Sequence, residues 1–197
     1  MLHNSRTKIA LSLALSLTLL ATGCTAQWIS IALADLPVLL QMSLNLGTLA
    51  TTLQSGRQLN PAETAAIQNI AAEAARDLNL LQALYNRYDA SPSADMLQKI
   101  QAVIGEINQN LPALLQAAHV VDPVLSARIT TAVNLVLSTV NSFAALMPQS
   151  APHAAKRAVR RSAVPHADDL KKQWNQQVCG PTGKSGLDAS FTTCPIR

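Results

Sequence analysis

The chain has 197 residues, of which 49% are hydrophobic, only 3% aromatic and 13% charged, with a formal charge of +4. That length suits one ordinary domain plus a tail, and the scarcity of aromatics excludes a ring-filled core in favour of Ala, Leu, Ile and Val, which pack well as helices. Residues 25–147 hold five basic against eight acidic side chains, and residues 148–197 hold eight against three, so a generally basic body is excluded and the positive charge belongs to the C-terminal segment.

Arg6 and Lys8 precede an apolar run over residues 9–20, followed by the small residues Ala21, Thr22 and Gly23 and then Cys24. This is the pattern of a removable signal peptide over residues 1–23. A dozen apolar residues rise only about 18 Å as a helix, well short of a hydrocarbon core of roughly 30 Å. The string Leu20-Ala21-Thr22-Gly23-Cys24 resembles the lipobox of bacterial lipoproteins, with Ala21 where Leu is commonest, and the resemblance covers the first 24 residues only. It implies diacylglycerol on the Cys24 sulfur and an acyl chain on the new N-terminus. Thr25 in place of Asp further implies the outer membrane, facing the periplasm, in an organism with two membranes. Ala21-Thr22-Gly23 also suits ordinary signal peptidase, which would leave Cys24 as an unpaired exported thiol. Assigning Cys24 to lipid leaves Cys179 and Cys194 as a pair, expected to form a disulfide around fourteen residues.

Four segments with heptad-like spacing make up residues 24–147. The first, residues 28–54, places Ile29, Leu33, Leu36 and Leu40 in one register and Leu39, Met42, Leu46, Leu49 and Leu53 in another. Pro37 sits where the registers meet, as a kink that rotates the buried face would require, and Gly56 is a natural stop. The second runs from the cap Asn60 through Pro61 and Glu63 to Tyr88, with the stripe Ile67, Ile70, Ala74, Leu78, Leu81, Tyr85 and Tyr88. The third is expected to start at Ser91-Pro92, with Leu97, Ile100, Ile104, Ile107, Leu111, Leu114 and Ala118 on one face and a bend at Pro112. The fourth starts at Asp122-Pro123, carries Leu125, Ile129, Val133, Val136, Val140, Phe143 and Met147, and ends against Pro148. Short interruptions between long amphipathic segments predict an all-α, antiparallel up-down four-helix bundle; the competing arrangement is an elongated array of helical hairpins that completes its core by oligomerising. The outer faces of the first and fourth segments are almost free of charge, which suits either a contact surface or an Ala-rich face under the tail.

Residues 148–166 read as a flexible, basic, Pro/Ala-rich linker in which Lys156, Arg157, Arg160 and Arg161 are uninterrupted by any acid. Residues 167–197 read as a short helix to about Val178 and the disulfide loop. The basic cluster suits an anionic surface such as lipid headgroups or lipopolysaccharide phosphates; nucleic acid is not an expected partner of an exported protein whose cluster has no interleaved aromatics.

No catalytic constellation, metal site or cofactor motif emerges. Gly183-Lys184-Ser185 ends like a phosphate-binding loop, but Val178 stands where the first glycine belongs. His119, His153 and His166 have no Glu-x-x-His partner, and the two downstream cysteines are too far apart for a redox motif. The sequence therefore points to a non-enzymatic, lipid-anchored bundle of the bacterial envelope with a structural or protein-interaction role, whose partners are the membrane and either an envelope protein or a second copy. The alternative is a module that opens to enclose a lipid or other apolar ligand, for which a cavity of a few hundred cubic ångströms would be needed.

Overall fold

The computed structural model describes the backbone of residues 3–147 and 166–197, and side chains from Trp28 onward. The long helices are α1 (His3–Ser55), α2 (Pro61–Ala90), α3 (Ala94–Ala117) and α4 (Pro123–Leu146). They form an antiparallel up-down bundle in which α1 packs on α2, α2 on α3, α3 on α4, and α4 back on α1. After residues 148–165 come α5 (Ala167–Gln173), a π-helical turn (Trp174–Val178) and α6 (Ser185–Ser190).

Helix α1 starts before residue 28, because residues 3–27 hold no proline and are rich in Leu and Ala, which continue a helix. Its buried seam is also simpler than the two-register expectation. Trp28, Ala32, Asp35, Leu39, Met42, Leu46, Leu49 and Leu53 follow one another at alternating steps of four and three, and all are buried. No change of register occurs at Pro37, which lies on the exposed side of a helix that continues past it. A small residue and a carboxylate occupy two seam positions, and they hid the stripe from a reading keyed to large aliphatics. Leu33 and Leu40 flank the seam and are only half-buried.

The other stripes lie where the spacing placed them. Every predicted stripe residue of α2 and α4 is buried, and α3 buries Leu97, Ile100, Ile104, Ile107 and Leu111, with Leu114 half-exposed. One continuous core joins them to Leu170, Trp174, Val178, Leu187, Phe191 and Ile196 of the C-terminal segment.

The helix starts are fixed by side chains that accept otherwise unpaired amides. Asn60 Oδ1 accepts from Glu63 N at 2.9 Å, while Glu63 Oε2 accepts from Asn60 N at 2.8 Å, a reciprocal box. The remaining Glu63 oxygen, Oε1, accepts from Val121 N at 2.8 Å and so ties the α1–α2 corner to the α3–α4 corner. Asp122 Oδ1 accepts from Val124 N and Leu125 N at 2.8 and 3.1 Å. Helix α3 is capped by Ser93, not Ser91: its hydroxyl accepts from Met96 N at 3.2 Å, and Pro92 precedes the cap. Ser91 instead closes α2, its amide donating to the Arg87 carbonyl at 2.9 Å, which leaves Ser93 to start α3. At the end of α1 the left-handed residue is Arg57 (φ 59°) rather than Gly56.

Polar pairs stitch neighbouring helices at their outer edges. Asn108 and Asn141 exchange amide hydrogen bonds of 2.8 and 2.9 Å between α3 and α4, Asn110 donates to Glu73 between α3 and α2, and Gln68 donates to Thr51 between α2 and α1.

Leu81 is fully buried at the centre of the α2 stripe. Leu81→Ala is expected to cost about 2–5 kcal/mol in denaturant unfolding, whereas Asn60→Ala, which removes half of the capping box, is expected to cost about 1 kcal/mol.

Candidate functional site

The most developed polar constellation among the described residues clasps the C-terminal segment to the bundle. Leu170, Trp174 and Val178 recur every four residues and are buried together. They press the segment into the groove between α1 and α4, with α5 and α6 against α1 and the π-helical turn against α4. Trp174 reaches a small gap lined by Met42, Leu46, Ile70, Leu111 and Val133, so its indole fills the bundle rather than covering its surface.

The Cys179–Cys194 disulfide is formed, with Cα atoms 5.6 Å apart. Around it the carbonyl of Cys194 accepts two bonds, from Trp174 Nε1 and from Asn45 Nδ2 of α1, each at 3.2 Å. Asn175 donates to Ile196 O at 2.9 Å and accepts from Ile196 N at 2.8 Å, which fixes the last residues against the π-helical turn. Gly180 follows at a place where a Cβ would lie 2.4 Å from the Gln176 carbonyl oxygen, so the chain can turn out of the helix only with glycine.

Arg128 is the one charged residue of α4. Its guanidinium lies over the Phe191 ring at 4.4 Å and donates to the Val178 carbonyl. Burial lowers its pKa, and the nearby Asp188 carboxylate opposes that shift. Asp188 is held below the usual carboxylate range chiefly by the Thr182 hydroxyl and amide, which donate to it at 2.6 Å. Lys184 Nζ pairs with Asp122 Oδ2 at 3.1 Å, and Gln58 bridges to Gly186 and Ser190. The Gly183-Lys184-Ser185 string therefore leads into α6 and anchors it to the α3–α4 corner.

Two carboxylates are buried within the bundle. Asp35 and Asp77 are 1% and 2% exposed, and each has one oxygen without a hydrogen-bond partner. Burial raises the pKa of both. For Asp35 the nearby His166 and the Ala167 amide pull the other way, so this carboxylate receives the start of α5, which has no side-chain cap of its own. For Asp77 the Glu73 charge adds to the rise, and Arg76, donating at 3.2 Å, counters it. Trp28 Nε1 and the Tyr85 hydroxyl are likewise buried without partners, in a cluster where Trp28 meets Tyr85 edge-on at 5.5 Å and Tyr85 meets Phe143 at 6.4 Å. Burial raises the Tyr85 pKa, keeping the phenol neutral.

The gap beside Trp174 has a volume of about 10 Å³, room for about one water and far below a cavity for an acyl chain. A larger hollow of about 170 Å³ lies at the α3–α4 corner among Leu115, Gln116, His119, Ser126 and Ile129. His119 is exposed there with φ 42°, just past the end of α3. Among the described residues no three His, Cys, Asp or Glu side chains converge as a metal site. Residues 28–55 of α1 and helix α4 are long and apolar enough to cross a membrane, a property that a bundle's core helices share, and about half of each lies inside the fold.

The backbone of Cys24 lies within α1, its side chain outside the described residues, as are Lys156, Arg157, Arg160 and Arg161 in full. No family model, curated protein or solved structure matches the chain.

Two outcomes test this site. Reducing the disulfide, or Cys194→Ser, is expected to lower stability by about 3 kcal/mol through the regained freedom of the unfolded loop. The raised pKa of Asp35 means that its protonated form favours folding: that contribution is complete below the ordinary unfolded value near 4 and is lost as pH rises through the higher folded value. Asp35→Asn is therefore expected to be more stable than the wild type at pH 7 and to lose less stability between pH 4 and 7, as measured by urea unfolding across that range.

Proposed function

We propose that residues 24–197 form a non-enzymatic lipoprotein of the bacterial envelope, tethered by acyl chains on Cys24 and acting as a structural or protein-interaction module. The tether belongs to the outer membrane, and the bundle stands in the periplasm. The observation that carries this reading is the string Leu20-Ala21-Thr22-Gly23-Cys24 behind Arg6, Lys8 and a short apolar run. The disulfide supports it, because an oxidising compartment lets such a bond form and persist. Trp28, four positions after Cys24, is already part of the core, which places the proposed acyl chains close to the bundle. The basic cluster Lys156, Arg157, Arg160 and Arg161 supplies a contact for anionic headgroups, and the charge-poor face of α1 supplies one for an envelope protein or a second copy.

Metabolic labelling with a palmitate analogue tests the anchor. Wild-type protein is expected to take up label and to fractionate with membranes; Cys24→Ala is expected to do neither. Mature wild-type protein recovered in solution with a free thiol on its first residue would overturn the proposal.

A further inference from the structure

Where α3 ends and α4 begins, the chain encloses a hollow of about 170 Å³ that the packing of the bundle does not require. Leu115, Ala118 and Ile129 give it apolar walls, and Gln116, His119 and Ser126 give it polar groups. Ser126 stands apart from the other hydroxyls of its helix. Thr130, Thr131, Ser138, Thr139 and Ser142 each donate to a carbonyl three or four positions earlier, the usual way for a helix to satisfy a hydroxyl. The carbonyl four positions before Ser126 belongs to Asp122 and takes the Ser126 amide, and the half-buried Ser126 hydroxyl has no partner among the described residues.

His119 is the second departure from a plain helix corner. It follows the C-cap Ala118 with φ 42°, in the left-handed region where glycine is the usual residue. The corner thus bears some backbone strain to keep an imidazole, and among the described residues that ring makes no hydrogen bond. Local structure gives no reason for the ring.

The hollow is also held open by bonds on either side of it. Val121 N donates to Glu63 Oε1 at 2.8 Å, Asp122 Oδ1 accepts from Val124 N at 2.8 Å, and Lys184 Nζ pairs with Asp122 Oδ2 at 3.1 Å. Glu63, Asp122 and Lys184 are therefore committed to the frame. What is left for a ligand is an imidazole, a carboxamide and a hydroxyl, groups that can donate or accept.

From this combination we infer that the α3–α4 corner binds a small neutral molecule with a compact apolar body and one hydroxyl or amide. The body lies against Leu115, Ala118 and Ile129, and its polar group pairs with Ser126, His119 or Gln116. The volume suits a single ring, since a cavity of about 150 Å³ accepts benzene, and it is too small for an acyl chain. The inference stands apart from the anchor at Cys24.

Phenol is the probe. Added at millimolar concentrations to the isotope-labelled full chain, it is expected to shift the amide resonances of Leu115, His119, Ser126 and Ile129 saturably, leaving Leu78 and Leu81 in place. Benzene, which lacks the hydroxyl, and benzoate, which adds a charge, are expected to bind severalfold more weakly. His119→Gly suits the left-handed backbone better, so it is expected to fold at least as stably as the wild type while weakening phenol binding severalfold. Ser126→Phe fills the hollow from α4 and is expected to abolish the saturable shifts while the spectrum stays dispersed. Wild-type shifts that fail to saturate, or that scatter over the bundle surface, would overturn the inference. So would benzoate binding more tightly than phenol, or unchanged phenol affinity in His119→Gly.

Discussion

Each of the four long helices has one apolar seam and cannot keep it in water, and this constraint dictates the rest of the molecule. The six aromatic residues are all buried, but most of the core is assembled from leucines, isoleucines, valines and alanines whose contacts are individually weak and collectively decisive. Close approach then matters more than bulk. The gap beside Trp174 holds no more than about one water, so the helices are closely packed around the indole. The groove between α1 and α4 is completed from outside the bundle by Leu170, Trp174 and Val178, and the disulfide and Asn45 hold those residues in place.

Much of this was legible because the physics that builds helices is local. The stripes of α2 and α4 could be read directly from alternating steps of three and four, and Asn60 and Asp122 announced their helices by residue type and by the proline that follows. The failures were equally local. Ala32 and Asp35 occupy seam positions where a pattern search expects leucine, so one straight seam read as two meeting at Pro37. Ser91 and Ser93 are equally good caps by composition, and what separates them is that Ser91 is already used to close α2.

The clasp was less legible, for a different reason. The cysteine pair could be inferred by counting, but the clasp's contacts with the bundle join residues 50 to 149 positions apart, and no local period records them. Arg128 left the clearest trace: a single charge in an otherwise neutral helix implies a specific partner, here the Phe191 ring and the Val178 carbonyl. Asn45, one amide among the Ser, Thr and Asn of α1, left none. The buried carboxylates Asp35 and Asp77 remain a cost to the fold at neutral pH, although Asp35 repays part of it by receiving the start of α5.

If the seams and the clasp form one core, they must open together. Native-state hydrogen exchange tests this most directly, by comparing the amides of Leu170, Trp174 and Val178 with those of Leu78 and Leu81 in α2. The account predicts that both sets exchange with the same free energy and the same denaturant dependence, reporting one cooperative unit. Exchange of the C-terminal set at a markedly lower free energy, while α2 stays protected, would show that segment to be an appendage and contradict the account.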